Sequence, residues 1–204
     1  MMGKLKKLTG YRLFLPLSCL IIVLLINLIT TPTFFRITIN NGVLYGYIID
    51  VINRASELVV LAVGMTLVVS ASAGTDISVG AVMAVAAAVC TRVLAGGEVS
   101  VNEYANPYVL AVLAALAAAV VCGGFNGFLV AKLKIQPMVA TLILFTAGRG
   151  ISQLVTNGQI TYIRVDGYKL LGNNIPGIPI PTPIFVAVIV VVLTYILLKK
   201  TAMG

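Results

Sequence analysis

The stretch Ala62–Gly80, AVGMTLVVSASAGTDISVG, decides the fold of this chain. Its residues are apolar at first, small and polar for a few positions around Asp76, and then apolar again. A carboxylate in hydrocarbon has no water to stabilise it, and an irregular backbone there leaves amide and carbonyl groups unpaired. The pattern therefore predicts a break between two membrane helices that faces protein or a water-filled cavity.

The composition of the whole chain is also typical of a membrane protein. Of the 204 residues, 60% are hydrophobic and only 10% are charged, whereas a soluble domain has about 25% charged residues. The net charge of +8 fits lysines and arginines at a membrane surface better than nucleic-acid binding. We predict an all-α, polytopic transmembrane helical bundle with the lipid bilayer as its surroundings and no nucleic-acid partner.

Enzymatic and metal-binding functions find no support in the sequence. There is no histidine, and Cys19, Cys90 and Cys122 are scattered through apolar runs, which fits neither a disulfide framework nor a metal site. The chain has no G-x-x-x-x-G-K-[ST] nucleotide loop and no G-x-S-x-G nucleophile motif. We expect no catalytic residue, no metal and no cofactor.

The hydrophobic runs predict a single transmembrane region over residues 1–204 with about six spans. The spans are expected at about residues 13–29, 55–72, 77–94, 108–131, 138–156 and 183–198. The first is interpreted as a retained span, because its apolar run is longer than a signal-peptide core and lacks an A-x-A-like site. Residues 33–53 are expected at the far membrane interface, with a short helix beginning at residues 48–53.

The distribution of basic residues predicts a cytoplasmic N-terminus. With that orientation, these basic residues lie inside: Lys4, Lys6, Lys7, Arg12, Lys132, Lys134, Lys199 and Lys200. The outside loops hold fewer over a longer sequence: Arg36, Arg54, Arg164 and Lys169. This asymmetry follows the positive-inside rule.

Three blocks of residues resemble the permeases of bacterial ABC importers for pentoses and hexoses, the ribose/galactose type. The first block joins residues 64–69, GMTLVV, to residues 75–80, TDISVG. The second consists of short pieces between Asn126 and Gly150, and the third is TNGQ at residues 156–159. Residues 48–54 and 140–151 look most like the galactofuranose importer branch.

The sequence also departs from this family. Thr75 stands where the family usually has isoleucine, and residues 70–74 look about one residue longer than usual. Family permeases have about ten spans, so the chain looks like their N-terminal part. We expect a fragment, a split gene product or a truncated sequence.

The resemblance implies a permease subunit in the bacterial inner membrane that passes a monosaccharide, with galactofuranose among the candidates. It implies three kinds of protein partner: ABC ATPase subunits, a periplasmic or extracellular sugar-binding protein, and a second permease copy or paralogue. ATP hydrolysis would occur on the separate ATPase, so the chain itself is not expected to be an enzyme. Amino acids are a weaker alternative, because branched-chain amino-acid permeases are distant relatives.

Asp76 has two readings from the residues alone. It can cap the third span by accepting the N–H of Ser78 or Val79, or it can line a sugar pathway by accepting hydroxyl hydrogen bonds. Thr75 and Ser78 can help to satisfy the same helix end.

The remaining candidates lie in later spans. Asn126 can bond across helices. Arg149 can bind substrate, pair with Asp76, snorkel outwards or hold a helix end. The glycines Gly80, Gly123 and Gly127 are expected to allow close helix packing, since Gly123 and Gly127 form G-x-x-x-G.

Two other functions stay open at this point. One is an ion-coupled carrier or channel that uses Asp76 and Arg149, although such carriers usually need several intramembrane ionisable groups. The other is an inert permease fragment without transport activity.

Overall fold

The computed structural model describes residues 14–31, 33–40, 43–165, 167–168, 172, 178 and 180–200. The basic N-terminal stretch, Lys169 and residues 201–204 lie outside the described residues. In the described part the helices are α1 (Phe14–Thr30), α2 (Tyr47–Ser72), α3 (Val79–Leu94), α4 (Tyr108–Ala131), α5 (Pro137–Val155) and α6 (Thr182–Lys200). Short strands lie between them: β1 (Thr38–Asn40), β2 (Val43–Tyr45), β3 (Ser100–Val101) and β4 (Tyr162–Ile163).

The helices have the length and composition of membrane spans. Helices α2, α4, α5 and α6 are each long and apolar enough to cross a bilayer, and α1 and α3 are shorter apolar helices of 17 and 16 residues. At about 1.5 Å per residue, α3 covers only ~24 Å of a hydrocarbon core of ~30 Å. The predicted all-α transmembrane class is confirmed, whereas the orientation of the helices stays a prediction.

Helices α3, α4 and α5 form the packed centre of the described chain. Helix α3 packs along both α4 and α5, and these two touch each other less extensively. One buried side chain from each helix meets the others in an apolar cluster of Val85, Cys122 and Leu144. This arrangement surrounds α3 with protein on two sides, which the predicted break before it requires.

Helix α2 starts earlier than predicted. It runs unbroken for 26 residues from Tyr47, so residues 48–53 are its first turns rather than a separate short helix. The polar residues Asp50, Asn53 and Arg54 interrupt the apolar run there, which is why hydrophobicity alone placed the start at residue 55. The acidic Asp50 lies in the first turn, where it complements the helix dipole. Helix α2 packs against α6.

The loops at the far end of α3 are tied to one another. Strands β3 and β4 pair in parallel and join the α3–α4 loop to the α5–α6 loop. Asn106 Nδ2 donates to the Val93 carbonyl at 2.8 Å, and Arg92 donates to the Gly97 carbonyl at 2.6 Å. The first bond satisfies a carbonyl in the last turn of α3, where Leu94 is fully buried, and the second holds the loop that follows the helix.

Candidate functional site

The break in the membrane helix consists of residues 73–78, between α2 and α3. Ala73 adopts a left-handed conformation with φ of 51° and donates its N–H to the Val69 carbonyl at 2.9 Å, which ends α2. Gly74 then passes close to α5, because a Cβ at that position would lie 2.5 Å from Cβ of Pro137. A side chain larger than hydrogen does not fit at Gly74, so the path of the break depends on this glycine.

Asp76 organises the start of α3. Its Oδ1 accepts the backbone N–H of Ser78 at 2.7 Å and the Ser78 hydroxyl at 2.6 Å. The carboxylate thus satisfies an N–H group that has no acceptor within the helix. The side chain is half-buried, so it is partly sheltered from solvent. The capping interpretation expects this bond to the Ser78 N–H, but Ser78 is itself the N-cap residue of α3 and makes no side-chain cap bond there. Both interpretations of Asp76 therefore stay predictions.

Asn126 of α4 continues this network. Its Nδ2 donates to the Ser78 hydroxyl oxygen at 2.9 Å, and Ser78 is fully buried. Because the Ser78 hydroxyl hydrogen is used on Asp76, its oxygen must accept, which fixes the side-chain amide of Asn126 as the donor. Asn126 Oδ1 is then buried without a hydrogen-bond partner in the described part of the chain. An orphaned buried acceptor costs about 1–3 kcal/mol.

Thr141 of α5 makes the third connection. Its Oγ1 accepts the backbone N–H of Ile77 at 3.2 Å and donates to the Met138 carbonyl at 3.3 Å. The side chain is buried, with 4% of its surface exposed. The break is therefore bonded to both helices that pack against α3. We call Asp76, Ser78, Asn126 and Thr141 the polar joint.

The polar joint lies inside the bundle, away from the nearby ends of α4 and α5. Asn126 is five residues before the end of α4 at Ala131, which corresponds to ~7.5 Å along the axis. Thr141 is four residues after Pro137, the first residue of α5, or ~6 Å. Helix α3 thus begins inside the bundle, one to two turns deeper than its neighbours.

Two predicted site residues lie outside this network. Thr75 is exposed next to Asp76. Arg149 is exposed on α5, with its guanidinium carbon 4.5 Å from the ring centroid of Phe145. It lies eight residues beyond Thr141, or ~12 Å along the helix, so the structure does not bring it to Asp76.

The predicted packing glycines do not mark the close helix contact within this chain. A Cβ added at Gly80, Gly123 or Gly127 would meet no atom within 4 Å among the described residues. The close approach is instead at Gly148 of α5, where a Cβ would lie 3.1 Å from Cβ of Ala81 in α3. A packing role for the first three glycines stays a prediction that concerns surfaces outside this chain.

Sequence reasoning overlooked two polar residues. Thr141 lies in the resemblance block ATL at residues 140–142 but carries no local signal of a tertiary bond. Glu57 lies in α2, within the predicted second span, and its side chain is exposed. It is a second carboxylate within a candidate membrane span, and a simple search of that apolar run for acidic residues finds it.

Comparison with known proteins confirms the resemblance to sugar-import permeases. The galactofuranose transporter permease protein YtfT of Escherichia coli K12 is 43% identical over 188 residues, which are 92% of this chain and 52% of YtfT. The fructose import permease protein FruF of Bifidobacterium longum is 36% identical over 208 residues, covering 98% of this chain and 55% of FruF. The ribose import permease protein RbsC of E. coli K12 is 32% identical over 193 residues, covering 92% and 54% respectively.

These matches define the family and the location of the protein. The chain spans about half the length of the curated relatives it matches, and no solved structure matches it significantly. With its apolar helices, it is a multi-pass protein of the bacterial cytoplasmic membrane. The family described as the branched-chain amino acid transport system permease component matches residues 47–204, and the chain belongs to this family.

Proposed function

We propose that the chain belongs to the permease subunit of an ATP-driven importer that moves a monosaccharide across the cytoplasmic membrane. The observation that carries this proposal is the 43% identity to a galactofuranose permease over 92% of the chain. The fructose and ribose import permeases, which are 36% and 32% identical to the chain, are also named for monosaccharides. A monosaccharide is therefore preferred over an amino acid, although the family description names amino-acid transport.

The polar joint is our candidate for the inner part of the sugar pathway. Asp76, Ser78 and Asn126 contribute neutral and acidic hydrogen-bonding groups where the helix is interrupted. The unpartnered Oδ1 of Asn126 can accept a hydrogen bond from a sugar hydroxyl. Thr75 and Arg149 remain candidates on the exposed surface, where a second permease subunit would enclose the pathway.

The proposed assembly includes separate subunits for energy and for substrate capture. ATP would be hydrolysed by cytoplasmic ABC ATPase subunits, and a periplasmic or extracellular binding protein would deliver the sugar to the outer loops. A second permease copy or paralogue would complete the pathway. The described residues contain no cluster of three or more histidine, cysteine or acidic side chains that could hold a metal ion.

The test is sugar uptake by the protein in its chromosomal context. The gene and its flanking transport genes are expressed in a bacterium that lacks galactofuranose, fructose and ribose permeases, and uptake of each labelled sugar is measured. We expect uptake of at least one sugar that is abolished when the ATPase subunit carries an inactivating substitution in its nucleotide loop. In a parallel experiment, residues 1–204 are expressed alone in the same bacterium, and uptake of the same sugars is measured.

Other outcomes distinguish the alternatives. Uptake that persists with the inactive ATPase and collapses when the proton gradient is dissipated would establish an ion-coupled carrier. Absence of uptake in every arm, despite normal membrane levels, would favour the inert fragment.

A further inference from the structure

A small, open cavity with a partly polar lining lies between α3 and α5, at the end of these helices opposite the Lys132–Lys134 turn. Its volume is about 270 Å³, just below the usual range of ligand pockets, ~300–1,000 Å³. The α3 wall is made of small residues at helical spacing: Ala84, Ala87, Ala88 and Thr91. The opposite wall combines the apolar Ile160 with polar side chains: Ser152, Gln153, Thr156, Gln159 and Thr161.

The hydrogen bonds of the lining side chains leave the cavity rich in acceptors. Thr91 donates its hydroxyl hydrogen to α3 carbonyls, Ser152 to the Arg149 carbonyl, and Thr156 to the Ser152 carbonyl. Each hydroxyl oxygen therefore keeps lone pairs for an outside donor. The side-chain amides of Gln153 and Gln159 make no hydrogen bond within the described residues, and each supplies both donors and acceptors.

A defined turn aims Gln159 at this cavity. The N–H of Gly158 donates to the Gln153 carbonyl at 2.7 Å, and that of Asn157 donates to the Leu154 carbonyl at 3.2 Å. This pair of bonds is a Schellman motif, with Asn157 at φ 55° and Gly158 at φ 67°. Strand β4 then anchors the outgoing chain, since Tyr162 N–H donates to the Val99 carbonyl at 2.7 Å. The motif TNGQ thus fixes one wall of the cavity.

The lining contains no charged side chain, which excludes recognition of a carboxylate or ammonium group by an ion pair. A ligand with several neutral hydroxyl donors matches the acceptor-rich walls. We propose that this cavity is an outer subsite that holds a monosaccharide between its delivery and its passage inwards. This inference rests on the proposed function for the direction of transport and for the sugar class.

The test measures whether sugar shields the cavity. Ser152→Cys is introduced after Cys19, Cys90 and Cys122 are replaced by alanine in the full transporter, and an impermeant maleimide is added to cells. Millimolar ribose, fructose or galactofuranose should slow its alkylation by about threefold or more, as expected for a ligand at about twice its Kd. Glu103→Cys, an exposed position on the α3–α4 loop, is the matched control and should react equally with and without sugar. Thr161→Cys, on the same wall of the cavity, is measured in the same way.

A second measurement links the cavity to transport. Gln159→Leu should raise the KM for uptake by about tenfold, whereas Gln136→Leu, exposed at the opposite end of α5, should leave it unchanged. Unshielded alkylation at both cysteine positions, in a transporter that imports sugar, would overturn the subsite and leave the proposed function intact. Shielding without import in any arm would support the subsite and remove the importer assignment.

Discussion

At the scale of single residues, Asp76 and Ser78 determine how α3 begins inside the bundle. One carboxylate oxygen accepts both the backbone N–H and the hydroxyl of Ser78, and that hydroxyl then accepts the amide of Asn126. Each of these groups makes a defined hydrogen bond. A substitution that keeps the acceptor of Asp76 but removes its charge therefore separates the structural role of the side chain from the role of the charge.

Replacing Asp76 by asparagine should leave the stability nearly unchanged, because the side-chain carbonyl still accepts from Ser78. Asp76→Ala removes the acceptor and should cost about 0.5–1.5 kcal/mol, the usual net contribution of an intramolecular hydrogen bond. The free energy of unfolding in mixed detergent micelles measures both. An equal loss in the two variants would contradict the capping role, and normal stability with lost uptake in Asp76→Asn would place the charge in the pathway.

The bond between Ser78 and Asn126 should be measurable as a coupling energy. A double-mutant cycle with Ser78→Ala and Asn126→Ala is expected to give about 0.6 kcal/mol, with an upper value near 1.7 kcal/mol, as for interhelical hydrogen bonds in other membrane proteins. Thr146→Ala on α5, whose hydroxyl bonds only to the Leu142 carbonyl, serves as the uncoupled partner. Additive effects of Ser78→Ala and Asn126→Ala would show that the hydrogen bond between these two side chains carries no coupling energy.

At the scale of the helices, much of the architecture follows from the hydrophobic pattern. Helix α4 begins and ends where the sequence predicts, at residues 108 and 131. The start of α2 was missed because polar residues in its first turns hide it from a hydrophobicity scan. The glycine contact was missed for another reason: G-x-x-x-G identifies a face that can pack closely, but only the three-dimensional arrangement shows that Gly148 meets Ala81.

Gly148→Leu should destabilise the bundle by about 1–3 kcal/mol, because the added side chain enters the tight contact between α3 and α5. Gly150→Leu is the matched control on the same helix, where a Cβ meets no atom within 4 Å among the described residues. It should be neutral or stabilise the helix by up to ~1 kcal/mol through helix propensity. Unfolding of the two variants in mixed micelles decides whether this contact holds the helices together.

At the scale of the whole molecule, the sequence predicts the fold class and the family but only part of the site. The sequence predicts Asp76 and Ser78 together at the break and Asn126 separately on a later span, and the structure joins all three in one network. Thr141 and the lining of the outer cavity could not be selected, because their proximity arises from helix packing between distant segments. Arg149 was grouped with Asp76 because both are charges in apolar surroundings, yet helix geometry separates them.

The orientation of the whole chain can be tested directly. In a background without the three native cysteines, Glu103→Cys should react with an impermeant maleimide added to intact cells, and Lys134→Cys should react only after the membrane is permeabilised. This expectation follows from the positive-inside rule and an even number of spans before the Lys132–Lys134 turn. The reverse labelling pattern would place the polar joint on the outer side and would require the cavity to face the cytoplasm.

The shortness of α3 has a consequence for how the chain crosses the membrane. Helix α3 begins at Val79, inside the ends of α4 and α5, and residues 73–78 occupy the space between those ends. Its 16 residues cover about 24 Å of a hydrocarbon core of ~30 Å. We therefore expect the irregular segment to complete the crossing beside α3, which requires its backbone polar groups to bond to protein rather than face lipid.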